Sequence, residues 1–437
     1  MLKSMETGFA KFFRKITEYL SYLFVFSLPW QAKLIIRAGE TNYSEISLYA
    51  SYGLLVLVLI IFLWWRFKEG GGDDESRPLI YSLAALGLFI FISIFFAPDK
   101  LLAFYRYFIF LAGLSLFFVV RLGARSRSYC EPWFDKIKLI YSFLISVFFQ
   151  ALLGIYQFLT QSSLEFKYLG LASHNPSVLG TAVVETEGGR WLRAYGGLDH
   201  PNILGGVLAL ALILAAYLLS RKKNLNTRQQ LWSSIFLFVF YFISLYALFF
   251  TFSRSAWLAF VVGLITLLTI FIIKKDKWII SRFVAIIFFS AVLIGVAAVP
   301  YQDLLLVRLD GESRLEQKSI TERTLYTWQA KDLIEKNFLS GVGVGNYTTA
   351  LAAQDSEKRP AWNYQPVHNG WLLLWAESGV FSLLSLLVFL FFLIRSGRRE
   401  TYAWAILAPI IILMLFDHWL ISLPFGVVFL FLFLALI

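Results

Sequence analysis

Apolar residues recur along this chain in runs of about 20, which is the length an α-helix needs to cross a membrane. Short polar stretches separate the runs. The last two runs are divided only by Asp417, His418, Trp419 and Pro424, so the pattern predicts eleven or twelve spans. The twelve candidates lie at residues 16–36, 46–65, 79–96, 101–122, 136–160, 202–220, 231–251, 255–273, 278–299, 369–394, 402–420 and 421–437.

The composition points to the same class of protein. Hydrophobic residues make up 59% of the 437 residues and charged residues 15%, whereas soluble domains have roughly 45–50% and about 25%. With a mean hydropathy of +0.69, we predict an all-α polytopic membrane protein and exclude a cytosolic enzyme. Cys130 is the single cysteine, so the chain can form neither an intrachain disulfide nor a cysteine metal site.

The positive charge is a topology signal. The chain has 39 Lys and Arg against 28 Asp and Glu, a net charge of +11. If the N-terminus is cytoplasmic, 22 of the basic residues fall in inner segments, as the excess of Lys and Arg in cytoplasmic loops requires. Both termini are then inside, and no nucleic-acid partner is expected. The first 15 residues do not resemble a cleaved signal peptide.

Two outer segments are too long to be simple connections. They divide the chain into an N-terminal bundle of five spans (1–160), an outer loop (161–201), central spans (202–299), a large outer loop (300–368) and C-terminal spans (369–437). These boundaries follow from hydropathy alone, and we treat them as predictions.

The large outer loop contains one predicted amphipathic helix near 322–337. A capping box, Ser319-Ile-Thr-Glu322, marks its start, and the glycine cluster Gly341-Val-Gly-Val-Gly345 marks its end. The cluster superficially resembles a nucleotide loop, but it follows a helix on the outer side, so we interpret it as a turn. On the inner side, residues 70–75 have the composition of a flexible linker.

Several kinds of chemistry have no signature in the sequence. There is no phosphate-binding loop of the Gly-x-x-x-x-Gly-Lys type and no Asp-x-Asp pair for a metal-bound nucleotide sugar. The four histidines lack the spacing of a zinc site. We therefore expect no metal and no cofactor.

Four segments place polar residues at the predicted outer membrane surface. They are Arg193 to Asn202, Thr251 to Trp257, Pro366 to Gly370 with Glu377 beyond it, and Asp417-His418. Arg254 lies between two apolar spans, so it either binds an anionic ligand or serves as an anchor or structural ion pair. Arg193 precedes a helix start and is either a phosphate ligand or an ordinary surface arginine.

His368 and Glu377 also permit two interpretations. His368 directly precedes a span and is either a general base or an interfacial capping residue, with Asn369 able to cap the helix. Glu377 lies inside the span, so it is either protonated or paired with a cation such as Arg254. Asn202 fits capping and turn chemistry around Pro201.

Taken together, these segments resemble the O-antigen ligase and polymerase superfamily, whose members transfer lipid-linked glycans on the outer face of the bacterial inner membrane. The similarity spans residues 190–380. Its motifs are Arg193-x-x-Gly196 with His200-Pro201-Asn202, Thr251-x-Ser253-Arg254-x-Ala256-Trp257, Tyr326-x-Trp328 through Gly345-Asn346-Tyr347, and Pro366-x-His368-Asn369 with Glu377-x-Gly379.

The resemblance implies roles for individual residues. Arg193 and Arg254 match the arginines that engage the donor diphosphate, and His368 matches the histidine that serves the acceptor. We add Asn202, Ser253, Asn369 and Glu377 as candidate substrate-binding residues. We also expect a GT-C-like architecture.

The expected reaction is metal-independent, inverting transfer of a polyprenyl-diphosphate-linked glycan to an acceptor hydroxyl. Paired guanidiniums would stabilise the diphosphate leaving group, and a neutral imidazole would take the acceptor proton. The expected partners are this donor, a lipid-anchored or glycan acceptor, and membrane lipid, at the periplasmic or extracellular face of the bacterial cytoplasmic membrane.

Other functions remain open at this stage. The same motifs occur in surface polysaccharide polymerases and protein O-oligosaccharyltransferases. A transporter or flippase of lipid-linked glycans also suits twelve spans, although the polar residues cluster at one face rather than at the bilayer midplane. An envelope scaffold would not require a buried arginine.

Overall fold

The computed structural model describes residues 8–69, 76–124, 132–221, 227–357, 359–397 and 402–437. The predicted linker at 70–75 and Cys130 lie outside the described residues. Within these ranges the chain is 74% helical, with two small β-hairpins, so the prediction of an all-α membrane protein is confirmed at this level.

Sixteen α-helices and four strands occur in the described residues. The first half contains α1 (Gly8–Ser27), β1 (Lys33–Arg37), β2 (Ile46–Tyr49), α2 (Ala50–Glu69), α3 (Arg77–Ser93), α4 (Lys100–Gly123), α5 (Lys136–Thr160), β3 (Val183–Thr186), β4 (Gly189–Leu192), α6 (Pro201–Arg221) and α7 (Arg228–Phe250). The second half contains α8 (Arg254–Ile273), α9 (Lys277–Ala298), α10 (Gln302–Asp310), α11 (Arg314–Lys336), α12 (Tyr347–Gln354), α13 (Gly370–Gly397), α14 (Ala403–Phe416), α15 (Trp419–Ser422) and α16 (Pro424–Leu436).

Eight helical segments are long and apolar enough to cross a membrane in the described part of the chain. Three shorter apolar helices, at Ala50–Trp64, Ala403–Phe416 and Pro424–Leu436, fall among the other predicted spans. α14 and α16 have 14 and 13 residues, less than the roughly 20 that a perpendicular crossing needs. The count of eleven or twelve spans therefore stays a prediction.

Helix α6 forms the centre of the bundle. It packs against α5, α7, α8, α9 and α14, and 89% of the residues in its most apolar stretch are buried. A Cβ on Gly205 would lie 2.7 Å from the Ala256 Cβ, and one on Gly206 2.8 Å from the Trp419 ring. Small residues thus let neighbouring helices approach closely and fix the start of α6 inside the protein.

The late helices pack against early ones. α13 lies against α3, α16 against α4, and α14 against α8. The β1–β2 hairpin also reaches the large outer loop, because the Thr41 and Thr348 hydroxyls are 2.8 Å apart. Residues far apart in sequence are consequently brought to one region at the loop-bearing end of the bundle.

The predicted loop helix begins earlier than expected. α11 starts at Arg314, so Ser319 and Glu322 lie within the helix and the predicted capping box is wrong. Ser313 occupies the N-cap position without a side-chain capping bond. Glu316, three residues on, is turned inward to arginines, so its side chain does not bond back to the Ser313 amide. The predicted amphipathic character of this helix is confirmed, since four of its apolar residues at helical spacing are buried: Tyr326, Ala330, Leu333 and Ile334.

The glycine cluster is a turn docked on α13, as interpreted from the sequence. Gly341, Gly343 and Gly345 all have positive φ, at 66°, 97° and 72°. The Gly343 amide donates to the Glu377 carbonyl and the Gly345 amide to the Glu377 carboxylate, both at 2.8 Å. Because these donors already have protein acceptors, the turn does not present them to a phosphate.

Candidate functional site

Arg193 is buried where the outer loop meets the central helices. It directly follows β4, and its side chain is 5% exposed. Its Nε donates to the Thr251 carbonyl at 2.7 Å, and its Nη2 donates to the Asn202 side chain at 2.8 Å. Burial lowers the pKa of Arg193, and the positive charge of Arg308 lowers it further. Two of its nitrogens thus fix the guanidinium to the turn before α8 and to the start of α6.

Arg254 opens α8 and pairs with a residue of the large outer loop. Its Nη2 lies 2.9 Å from the Glu316 carboxylate, and its Nη1 donates to the Arg308 carbonyl at 3.2 Å. Arg308 pairs with the other oxygen of Glu316. The Arg254 side chain is 35% exposed and that of Glu316 only 5%, so Arg254 faces accessible space.

The turn between α7 and α8, which precedes Arg254, contains a residue with a strained backbone. Phe252 is fully buried and has a φ of 46°, in the left-handed region that bulky residues avoid. Its carbonyl accepts a 2.9 Å hydrogen bond from the Arg308 Nε. Such strain persists where the surroundings impose it, and this turn leads directly into α8, which begins at Arg254.

Asn202 connects Arg193 to a carboxylate. Its side-chain oxygen accepts from Arg193 and its Nδ2 donates to Asp417 at 3.1 Å. Burial opposes ionisation of Asp417, but the neighbouring histidines and the His418 amide outweigh it, so the pKa of Asp417 lies below its usual value. The predicted Arg193 and Asn202 are therefore in direct contact, and Asp417 extends the chain of contacts.

Two histidines lie beyond Asp417. The rings of His368 and His418 are 5.1 Å apart, and the Nδ1 of His418 lies 2.7 Å from the Ser422 hydroxyl. The Nδ1 of His368 is buried without a partner among the described residues. Burial lowers the pKa of His368 below 6.5, against the opposing effect of Asp417. His368 is thus a neutral imidazole with a free ring nitrogen.

Nitrogen and oxygen atoms of His368, Asp417 and His418 lie within 4.8 Å of one another, which would allow them to share a divalent cation. Two observations weigh against this. The neighbouring arginines repel a cation, and the Nδ1 of His418 and both Asp417 oxygens already make hydrogen bonds. The donor set therefore fits an anion-binding site with a base better than a metal site.

Three predicted substrate-binding residues have structural contacts. Asn369 caps α13 by accepting from the amides of Trp371 and Leu372, each at 3.0 Å. Ser253 is buried with its hydroxyl 3.3 Å from that of Ser255. Glu377 holds the glycine turn, whereas Glu316 is the carboxylate that pairs with Arg254.

Sequence reasoning missed several residues around the site. Arg308, Glu316 and Arg323 come from α10 and α11, where they look like surface charges of an outer loop. The one feature of the sequence that could have identified Glu316 and Arg323 is their spacing. They precede the buried Ala330 by 14 and 7 residues, which places them on the same face of the helix as Ala330.

Arg106 holds two residues that contact His418. Its two terminal nitrogens donate to the Ser422 carbonyl at 2.8 Å and to the Tyr43 carbonyl at 2.6 Å. The Tyr43 ring is 5.4 Å from the ring of His418. Arg106 and Glu377 also line a cavity of about 70 Å³, room for a few water molecules.

The site as a whole favours anions. In the described part of the chain, the charged groups that act on one another or on His368 include four arginines (193, 254, 308 and 323) and three carboxylates (Glu316, Glu322 and Asp417). Partly buried guanidiniums in excess bind phosphates or carboxylates through charge-assisted hydrogen bonds. The neutral His368 next to them can accept a proton from a hydroxyl.

Residues 239–387, about a third of the chain, match the family model described as O-antigen ligase. A search of curated proteins found no match. The matched range includes Arg254, Glu316 and His368, whereas Arg193 and Asp417 lie outside it. The match supports a multi-pass bacterial membrane protein with a transferase function on lipid-linked glycans in general.

Proposed function

Because residues 239–387 match the O-antigen ligase family model, we propose that the chain transfers a polyprenyl-diphosphate-linked glycan to an acceptor hydroxyl. The reaction takes place at the outer face of the bacterial cytoplasmic membrane and inverts the anomeric carbon. The observation that carries the proposal is the meeting of arginines in excess over carboxylates with His368, whose buried ring nitrogen has no described partner.

The arginines bind the donor. Arg254 is partly exposed, and Arg193 has Nη1 without an acceptor among the described residues, so both can reach a diphosphate. Negative charge grows on the oxygen that joins the sugar to the diphosphate as this bond breaks. Fixed guanidiniums stabilise that charge because they need no reorganisation during the reaction.

His368 serves the acceptor. The neutral imidazole takes the hydroxyl proton while the acceptor oxygen attacks the anomeric carbon from the side opposite the leaving group. Asp417 stabilises the imidazolium that forms, and Asn202 ties Asp417 to Arg193. Donor and acceptor groups are thereby linked through one chain of hydrogen bonds.

The membrane arrangement follows from the same proposal. Both termini are cytoplasmic, and the site lies at the periplasmic or extracellular ends of α6, α8 and α13. The architecture is GT-C-like, with the polyprenyl tail held along apolar helix surfaces and the loop of α10 to α12 covering the glycan and acceptor. The site lies at one end of the helices, whereas a transporter would have its binding site near the bilayer midplane.

Transfer by the purified full chain in proteoliposomes tests the proposal. We expect His368→Ala to lower the rate by roughly 10²–10⁴-fold and Arg254→Ala by roughly 10²–10³-fold. His174→Ala is the matched histidine control, because His174 stacks on Tyr195 at 3.9 Å in the outer loop. Arg359→Ala is the matched arginine control, since Arg359 pairs with Asp355 at the surface.

Normal transfer by either folded site variant contradicts the assignment. Activity is expected to persist in excess EDTA, and loss of activity that Mg²⁺ restores contradicts the metal-free scheme. Mass analysis of surface glycans in a deletion strain separates the related activities: missing chains indicate a ligase, and single repeat units indicate a polymerase.

A further inference from the structure

Tyr43, in the connection between β1 and β2, is a half-buried aromatic residue at the edge of the candidate site. Its ring lies 5.4 Å from that of His418 in a T-shaped contact, which occupies at most one face of the Tyr43 ring. His418 is only 5% exposed, and its ring is 5.1 Å from that of the half-buried His368. The accessible rings of Tyr43 and His368 therefore contact the same buried ring.

The turn that carries Tyr43 is held by hydrogen bonds on both sides. The Thr41 amide donates to the Ser44 hydroxyl at 2.9 Å, and the Ser44 amide donates to the Thr41 carbonyl at 3.2 Å. The Thr41 hydroxyl meets that of Thr348 in the large outer loop, and Arg106 donates to the Tyr43 carbonyl at 2.6 Å. The backbone of Tyr43 is thus fixed before any ligand arrives, which lowers the entropy cost of binding.

The Tyr43 hydroxyl has no hydrogen-bond partner in the part of the chain that the structure describes, although its backbone carbonyl has one. Burial raises the pKa of Tyr43, and the nearby charges of Asp417 and Asp199 raise it further. The hydroxyl therefore stays protonated and can donate a hydrogen bond. A tyrosine hydroxyl in such a half-buried position ordinarily has a partner, and a ligand can supply it.

Asp199 offers a hydrogen-bond acceptor on the same side of the site. Its charge acts on Tyr43, and the charges of Lys33 and Glu45 act on Asp199, so it faces the β1–β2 hairpin. Lys33 and Glu45 pair with each other at 2.7 Å. Asp199 is exposed and its carboxylate makes no ion pair or hydrogen bond within the described ranges, so both of its oxygens are available to a ligand.

We propose that Tyr43 and Asp199 bind a pyranose ring of the acceptor and thereby select the acceptor sugar. The inference rests on the proposed function and adds a sugar subsite to it. A pyranose has a face of C–H groups, which packs against an aromatic ring, and a rim of hydroxyls that need donors and acceptors. Tyr43 supplies the ring and a donor, Asp199 supplies an acceptor, and His368 receives the proton of the attacking hydroxyl.

The position of Tyr43 assigns this subsite to the acceptor rather than to the donor. The charges that act on the Tyr43 hydroxyl are those of Asp417 and Asp199, and neither Arg193 nor Arg254 is among them. Tyr43 and Asp199 also precede residues 239–387, the segment that matches the O-antigen ligase family. Selection of the acceptor sugar is thus a property of the N-terminal hairpin and the first outer loop, outside the matched segment.

Inhibition by a free glycan tests the proposal, because a glycan without lipid or diphosphate competes through its sugars alone. The probe is the oligosaccharide that mild acid releases from the lipid extract of a deletion strain, added to the full chain in proteoliposomes with intact lipid-linked substrate. The glycan concentration that halves the rate of transfer should rise roughly ten- to a hundredfold in Tyr43→Ala. It should rise roughly three- to tenfold in Tyr43→Phe and in Asp199→Ala.

Two comparisons separate sugar binding from a structural role. Tyr43→Phe keeps the ring against His418 and removes only the hydroxyl, so its maximum rate at saturating substrate should stay near that of the unmodified protein. Tyr168→Ala is the matched tyrosine control, because Tyr168 is 80% exposed and packs against Phe166 in the outer loop. Its half-inhibiting glycan concentration should not change.

An unchanged half-inhibiting concentration in both Tyr43 variants overturns the proposal. So does a lower maximum rate of Tyr43→Phe without a change in inhibition, since that result assigns Tyr43 to packing around His418. Absence of inhibition in an unmodified protein that transfers normally also overturns the subsite. Absence of transfer by the unmodified protein instead overturns the proposed function. The thermal midpoint of the full chain with the free glycan then tests the subsite alone: a rise that Tyr43→Phe loses supports it, and no rise overturns it.

Discussion

At the scale of single residues, the site consists of positive charges that are arranged but not neutralised. Glu316 orients Arg254 and Arg308 together, and Asn202 orients Arg193 without cancelling its charge. A neutral amide at this position fixes a guanidinium and leaves its full attraction for a ligand. The half-buried His368 stays neutral for a related reason, because desolvation disfavours its charged form.

The lowered pKa of His368 predicts the pH dependence of transfer. In the proposed mechanism His368 works as the base when it is deprotonated, so the rate is expected to fall roughly tenfold for each pH unit below the pKa of His368. This pKa lies below 6.5 in the folded protein, and the rate should therefore be level at neutral pH and lost only in acid. Initial rates of the purified protein across the acidic and neutral range measure it.

Asp417→Asn provides an internal check on that profile. Asp417 raises the pKa of His368, so its removal should move the acidic limb to lower pH while the maximum rate also falls. A limb that lies at or above pH 6.5 in the unmodified protein, or that moves upward in Asp417→Asn, contradicts the assignment of His368 as the base.

At the scale of elements, the glycine turn and the kink in α13 form a clasp that holds the large outer loop on the bundle. α13 departs from helical geometry at Gly379, with φ 77° and ψ 170°. The Val342 amide donates to the Ala376 carbonyl at 2.8 Å, and the Val380 amide donates to the Phe338 carbonyl at 3.1 Å. α11 leads directly into this clasp, so the clasp sets where Arg323 and Glu316 of α11 lie relative to His368.

Gly379→Ala is expected to disrupt the clasp. A Cβ at this position would collide with the Leu339 carbonyl, and a positive φ costs a non-glycine residue about 1–3 kcal/mol. The variant should show a lower thermal midpoint in detergent and a large loss of transfer. Gly295→Ala in α9 is the control, because nothing lies within 4 Å of its added Cβ. Equal stability of the two variants would refute the role of the clasp.

At the scale of the whole molecule, contacts between distant parts of the chain assemble the site. α13 and α16 lie against α3 and α4, and the β1–β2 hairpin brings Tyr43 against His418. Arg193 and Asp417, which Asn202 joins, lie on either side of the range that matches the O-antigen ligase family. We therefore expect that the matched segment alone lacks a complete site.

Cysteine labelling tests the orientation of the whole chain in the membrane. In a Cys130→Ser background, Ser173→Cys in the outer loop should react with a membrane-impermeant maleimide in intact spheroplasts. Arg228→Cys, at the start of α7, should react only after permeabilisation. Both positions are exposed, so accessibility within the protein does not distinguish them. The opposite labelling pattern contradicts the proposed orientation and places the site in the cytoplasm.

The order of apolar and polar residues was sufficient to predict the class of fold and to identify about half of the residues of the candidate site. Long apolar runs required membrane helices, because a peptide backbone in lipid must satisfy its own hydrogen bonds. Arg193, Arg254, Asn202 and His368 were identifiable because each lies at a predicted span end, where a polar residue needs an explanation. The stripe of α11 was also readable, since helical periodicity is local.

Tertiary structure alone decided which of these residues meet and what they contact. Glu316 and Arg323 look like solvated charges in an outer helix until packing turns their face inward, and Glu377 looked like the partner of Arg254 until the fold supplied Glu316. Hydropathy and local propensity report the environment of each residue, not its distant neighbours. Pairing of charges depends on distances between separate elements, and these are fixed only when the helices pack.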